Sequence, residues 1–254
     1  MHTVERLAYT NRWRQRHPAD KLILGGGLLV LAVVLPPWPG DALVLLAAAA
    51  AALLGARLPL ADYSRLLAVP AGFLLPGVAV LAVSLEFSGA GPLLHVGEEG
   101  LAQAVSALLR AMAATAALLL IVLTTPFTEL LALSSRLRLP AVLLDLMLMI
   151  YRFSTLTIET AALGRTAQAS RLGYAGFGRS IRSAGLLAAG LLPRVLDRAA
   201  RLQVGLTARG YTGELRVLAP RRAHCRAFIA GSLGVHASIV VLALAAPASF
   251  RSLW

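Results

Sequence analysis

Two short segments carry the residue pattern most able to do specific work. One is Ala167-Gln168-Ala169-Ser170-Arg171-Leu172-Gly173-Tyr174, and the other is Leu206-Thr207-Ala208-Arg209-Gly210-Tyr211-Thr212-Gly213. Each runs Ala, then Arg, then Gly, then Tyr. Glycine supplies the left-handed backbone that ends a helix, so the arginine before it stands on the last turn. There a guanidinium complements the carbonyl end of the helix dipole and can fork onto a carboxylate of a partner. The chemistry on offer is recognition, not bond making. A pair of ordinary basic helix ends would look the same at this level.

Other reactive residues give weaker patterns. His95 stands near Glu98 and Glu99 in a segment that reads as a solvated acidic loop. His224 and Cys225 are adjacent, and two neighbouring side chains rarely share one metal without further ligands. Met1-His2 could chelate through the terminal amine. Catalytic residues and metal ligands are therefore expected to be none. No GxSxG, HExxH or CxxC pattern occurs. A Walker A loop needs Gly-Lys-Ser/Thr, and the only lysine, Lys21, follows Pro18-Ala19-Asp20. No cofactor is expected in this chain, which cannot supply its own P-loop.

The elements that would position the two arginines follow from composition. The 254 residues are 58% hydrophobic and 14% charged, with a formal charge of +12. Mean hydropathy is +0.75. Soluble domains carry roughly 25% charged residues, so the chain reads as a membrane protein and not as a basic nucleic-acid binder. One cysteine, Cys225, excludes an internal disulfide. Five stretches could cross a bilayer: Leu22–Trp38, Asp41–Ala56, Leu66–Leu85, roughly Ala104–Thr125, and Arg226–Ala246. The first two are short and joined by Pro36-Pro37-Trp38-Pro39-Gly40, which predicts a helical hairpin.

Charge sets the orientation. Except for Arg110 and Arg251, every cation lies in the N-terminal segment, in the second loop with Arg57 and Arg65, or between Pro126 and Arg226, which holds fifteen. The positive-inside rule then makes the N-terminus cytoplasmic and the Glu86–Gly100 loop and C-terminus external. Arg110 falls within the fourth span. It either snorkels from near the outer end or marks a polar pathway, and snorkelling is the expectation.

Three regions result: four spans in 1–125, a cytoplasmic and interfacial region in 126–225, and a last span with its tail in 226–254. In the middle region Thr125 is a candidate N-cap, Pro126 suits the first helical position, and Glu129 suits the positive end of the dipole. An amphipathic stretch Phe127–Leu139 carries Arg136 and Arg138 and stops before Pro140. A long helix follows, with Asp145, Arg152 and Glu159 on one face. It is expected to start in the interface and run into the cytoplasm, because a sixth span would bury Asp145. From Ser183 to Thr207, Leu192, Val195, Leu196, Ala199 and Leu206 form one face. Arg194, Arg198 and Arg201 form another with Asp197, and Pro193 is expected to kink or restart the helix.

With these residues in view, the chain resembles the T component of energy-coupling factor (ECF) transporters, in the CbiQ branch serving cobalt uptake. The resemblance rests on Ala169, Arg171 and Gly173, on Ala208, Arg209 and Gly210, on Thr124-Thr125-Pro126, on Leu139-Pro140 and on Pro18-Ala19-Asp20-Lys21. In the first motif Leu172 separates Arg from Gly, a departure from the plain pattern. The resemblance implies an all-α polytopic membrane protein with about five transmembrane helices and long cytoplasmic amphipathic coupling helices. It also implies a pair of cytosolic ATP-binding cassette ATPase subunits engaging Arg171 and Arg209. A separate substrate-binding membrane subunit would carry cobalt or nickel, within the bilayer of the cytoplasmic membrane and with no nucleic acid. A T component for a vitamin such as biotin shares every one of these residues. A membrane adaptor holding anionic lipid through its arginines is the alternative from a different class.

Overall fold

Proline and polar residues punctuate the chain where its helices begin and end. The computed structural model describes residues 3–82, 84–88, 91–95, 98–134, 140–211 and 222–245. A short helix α1 (Thr3–Thr10) and a tight turn at Arg12–Gln15 lead to α2 (Pro18–Val34). The His17 side chain caps α2 by accepting the Ala19 N–H at 3.1 Å, with Pro18 at the first helical position, where its missing N–H costs nothing. Leu35 closes α2 before the Pro36-Pro37 pair, and α3 (Ala42–Ala50) runs back, extended by a wider turn at Ala51–Gly55. The expected hairpin is present.

Next come α4 (Leu60–Ala82), with Pro70 and Pro76 inside it, and α5 (Glu98–Thr124). The connection holds an antiparallel ribbon, β1 (Ser84–Ser88) paired with β2 (Gly91–His95). Beyond α5 lie α6 (Phe127–Ser134), α7 (Ala141–Ala169), α8 (Phe177–Ala208) and α9 (Arg226–Ala245). Arg136 and Arg138 of the expected amphipathic stretch lie outside the described residues, as do Thr212 and Gly213.

Four described segments are long and apolar enough to cross a membrane: Pro37–Gly55, Leu60–Leu81, Gly100–Thr124 and Arg226–Ala245. The helix α2 is shorter, at 17 residues, as the first of two short hairpin helices should be. The long helix α7 is not among those four. The architecture is that of an all-α polytopic membrane protein.

The chain divides into two units, Met1–Leu130 with Pro220–Trp254, and Leu131–Ala219. In the first, α5 is the central element, packed by α2, α3 and α4, and α9 packs on α2. Its core is built largely from small residues at four-residue spacing. Val44, Ala48 and Ala52 meet Leu24, Leu28 and Ala32, with Ala113, Ala116, Ala117 and Leu120 from α5. In lipid no hydrophobic force drives one helix against another, so close packing of small side chains does that work. By contrast α4 leaves Val69, Phe73 and Val80 exposed.

The second unit is an antiparallel helical hairpin of α7 and α8. Leu191, Arg194, Val195, Arg198 and Arg201 of α8 face Phe153, Leu156, Thr157 and Thr160 of α7 across a groove. Pro193 neither ends nor restarts α8, which is continuous from Phe177 to Ala208. None of the hairpin's described residues is buried.

Candidate functional site: two arginine-bearing helix ends

Both expected arginines stand at helix ends of one construction. At the end of α7, Leu172 N–H donates to the Ala169 carbonyl at 3.0 Å, and Gly173 N–H donates to the Gln168 carbonyl at 2.9 Å. At the end of α8, Gly210 N–H donates to Thr207 O at 3.1 Å, and Tyr211 N–H to Leu206 O at 3.0 Å. This pair of crossed bonds is the Schellman closure, which satisfies two orphan carbonyls. Arg171 and Arg209 therefore occupy the same capping position, and both are exposed.

The left-handed residue differs between the two. Gly210 has φ +74, as expected, but in the first motif the residue at positive φ is Leu172, at 58. Gly173 is thus not the left-handed residue, which corrects the simple reading of that motif. Its lack of a side chain answers a close approach instead. A Cβ there would lie 2.8 Å from the Gln168 carbonyl oxygen and 2.8 Å from Ser183 Oγ. The two motifs align on their arginines, with their glycines offset by one place. Ala169 and Ala208 are the last helical residues before each closure.

The first end is stitched to the start of α8. Gln168 Nε2 donates to Ser183 O at 3.0 Å, Ser183 Oγ donates to Gly173 O at 2.9 Å, and Tyr174 OH donates to Gln168 Oε1 at 2.8 Å. At the far end of the hairpin Tyr211 OH donates to Asp145 Oδ2 at 3.4 Å. Because the helices are antiparallel and α8 has 32 residues, the two arginines are separated by roughly 48 Å of helix. Such an arrangement presents a cationic end at each end of the hairpin, and each guanidinium can fork onto a carboxylate.

In the first unit the structure assembles polar groups that sequence reasoning missed. Lys21, fully buried, donates to the Thr124 carbonyl at 2.9 Å and pairs with Glu129 at 3.3 Å. Arg222 pairs with the other Glu129 oxygen at 2.8 Å and donates to Arg16 O at 3.1 Å. Glu129 thus serves as the anion between two cations, more than as a dipole residue of α6. The Thr125 hydroxyl is buried with no hydrogen-bond partner, so the expected N-cap bond is not made. Asn11 Nδ2 donates to Leu123 O at 3.2 Å, which ties the N-terminal segment to the end of α5. Arg110 reaches the α2–α3 turn, pairing with buried Asp41 at 3.3 Å and donating to Leu35 O at 2.9 Å. Its side chain is 43% exposed. Lone charges beside apolar runs were the only signal, and sequence distance hid their pairing.

A bundle of apolar spans together with a hairpin whose two ends carry exposed arginines defines a multi-pass membrane protein. Comparison with known proteins makes this particular. The family model described as "CbiQ: Cobalt transport protein" matches residues 10–218, and the chain belongs to that family. It is 42% identical over 221 residues to the cobalt transport protein CbiQ of Rhodobacter capsulatus, covering 87% of this chain and 89% of that one. The cobalt transport protein CbiQ of Salmonella typhimurium is 30% identical over 223 residues, covering 84% and 99%. A putative fused cobalt transport protein, CbiMQ, of Methanocorpusculum labreanum is 29% identical over 174 residues, 64% of this chain and 28% of that protein. The chain is a membrane component of the cobalt transport protein family.

Proposed function

We propose that this chain is the transmembrane coupling subunit of an ATP-driven importer of ECF type for cobalt or nickel ions. It passes conformational change from a pair of cytosolic ATP-binding cassette ATPases to a substrate-binding membrane subunit. One observation carries the reading. Two exposed arginines, Arg171 and Arg209, cap matching helix closures at opposite ends of a hairpin that buries none of its described residues. Each ATPase would receive one end in an acidic groove, with the guanidinium forking onto a carboxylate. A helix pair held at both ends transmits relative motion of the two ATPases as a change in its own crossing.

Further support comes from the uncovered apolar surface of the hairpin. Leu163, Phe177, Leu192 and Val204 are all more than half exposed. Surface of this kind marks a contact site for protein or membrane. The fused CbiMQ relative supports a second membrane subunit as partner. The absence of Gly-Lys-Ser/Thr around the single lysine supports ATP binding elsewhere. The distribution of arginines supports the cytoplasmic membrane with the N-terminus inside.

The test is co-purification of ATPase subunits with Arg171→Ala and Arg209→Ala variants. Loss of a central interfacial arginine removes about 2 kcal/mol, or roughly thirtyfold in affinity, so each variant should retain the ATPase pair poorly. Full retention by both variants would overturn the reading. Loss only of salt-sensitive liposome binding would favour a lipid adaptor instead.

A further inference from the structure

The first unit gathers three metal-ligating side chains from opposite ends of the chain. His17 precedes α2, Asp20 lies in its first turn, and His224 precedes α9. One ligand atom from each falls within 4.8 Å of the others. His17 and Asp20 are buried at 3% and 0% exposure, whereas the His224 side chain is 50% exposed. His224 Nδ1 lies 2.7 Å from Asp20 Oδ1, and Cys225 N–H donates to Asp20 Oδ2 at 2.9 Å. The two imidazoles stack with centroids 3.7 Å apart at 34°.

We propose that His17, Asp20 and His224 form a binding site for a divalent transition-metal ion of the Co2+, Ni2+ or Zn2+ class, stapling the start of α9 to the start of α2. Two imidazole nitrogens and a carboxylate oxygen are the borderline ligand set that such ions prefer over Mg2+ or Ca2+. At metal–nitrogen distances of about 2.0–2.1 Å, tetrahedral ligands sit about 3.4 Å from one another. The His224 Nδ1–Asp20 Oδ1 pair, at 2.7 Å, must therefore open by about 0.7 Å, and the widest pair must close by no more than about 1.4 Å. His17 keeps its Nδ1 on the Ala19 N–H, which assigns the metal to its other ring nitrogen, and Asp20 keeps Oδ2 on the Cys225 N–H and offers Oδ1. His224 supplies the movement, its exposed ring turning out of the stack to present a nitrogen, with water completing the coordination. The neighbouring cations do not forbid this, because Lys21 and Arg222 are both engaged by Glu129. The site is independent of the coupling reading, since it is judged by metal binding to this chain alone.

The experiment is titration of the full-length chain in detergent, without a polyhistidine tag and after chelator treatment, with Co2+ followed by its visible ligand-field absorption. Saturation at one equivalent, displacement by Zn2+ and indifference to Mg2+ are expected. Losing one ligand should weaken binding by at least about a hundredfold, the upper end of what outer-shell changes cost. His224→Ala is the primary variant because its exposed side chain makes folding robust, and His17→Ala is the second. No saturable binding by the unaltered chain overturns the site. Binding of unchanged affinity in a folded His224→Ala chain overturns it equally.

Discussion

Arg171 and Arg209 share a position because the backbone hydrogen bonds around them are the same, though the left-handed residue beside one is leucine and beside the other glycine. A side chain in that conformation costs about 1–2 kcal/mol. Gly210→Ala should therefore loosen the end of α8 by about 1 kcal/mol. Hydrogen exchange at the amides of Gly210 and Tyr211 checks this, and unchanged protection would mean that the closure does not depend on glycine. The Lys21–Glu129–Arg222 cluster makes a sharper prediction. Glu129→Gln leaves two largely buried cations without their anion, and breaking a buried pair from one side costs about 3–5 kcal/mol. Lys21→Met leaves Glu129 its Arg222 partner and should cost much less. Thermal melts of the two variants in detergent should differ in that order.

At the scale of elements, the hairpin of α7 and α8 is held internally by its ends and by the groove between its helices. Its outward apolar residues are largely uncovered. Phe177, 86% exposed, is the clearest case. Phe177→Ala should leave melting of the isolated chain within about 0.5 kcal/mol of the parent, yet weaken assembly with membrane or ATPase partners, read by retention on a size-exclusion column. The existence and type of these helices were legible in the periodicity of Leu192, Val195, Leu196 and Ala199. So were the proline break between α2 and α3 and the arginine-bearing ends. What periodicity could not show is that Gly173 answers to Ser183 and not to a dihedral angle. Nor could it show that α8 carries Pro193 without interruption, since proline removes one bond that a long packed helix can spare.

For the whole molecule, the spans were readable from apolar length, whereas the polar ties among them were not. Asp20 with His224, Lys21 with Glu129, and Asp41 with Arg110 join residues far apart in sequence, and nothing in a single chain's local pattern says which charges meet. Orientation can be tested without altering the protein. Cys225 is the single cysteine and is exposed at the start of α9. A membrane-impermeant thiol reagent should label it in inside-out vesicles and leave it unlabelled in right-side-out ones, and the reverse pattern would invert the topology. In the proposed function the two arginine ends couple ATP hydrolysis to ion import. ATP-dependent Co2+ uptake into proteoliposomes carrying the complete complex, with the Arg171→Ala/Arg209→Ala chain in place of the parent, tests it most directly. Uptake should fall to the level seen without ATP while the chain stays folded and membrane-inserted. Uptake at the parental rate would contradict it.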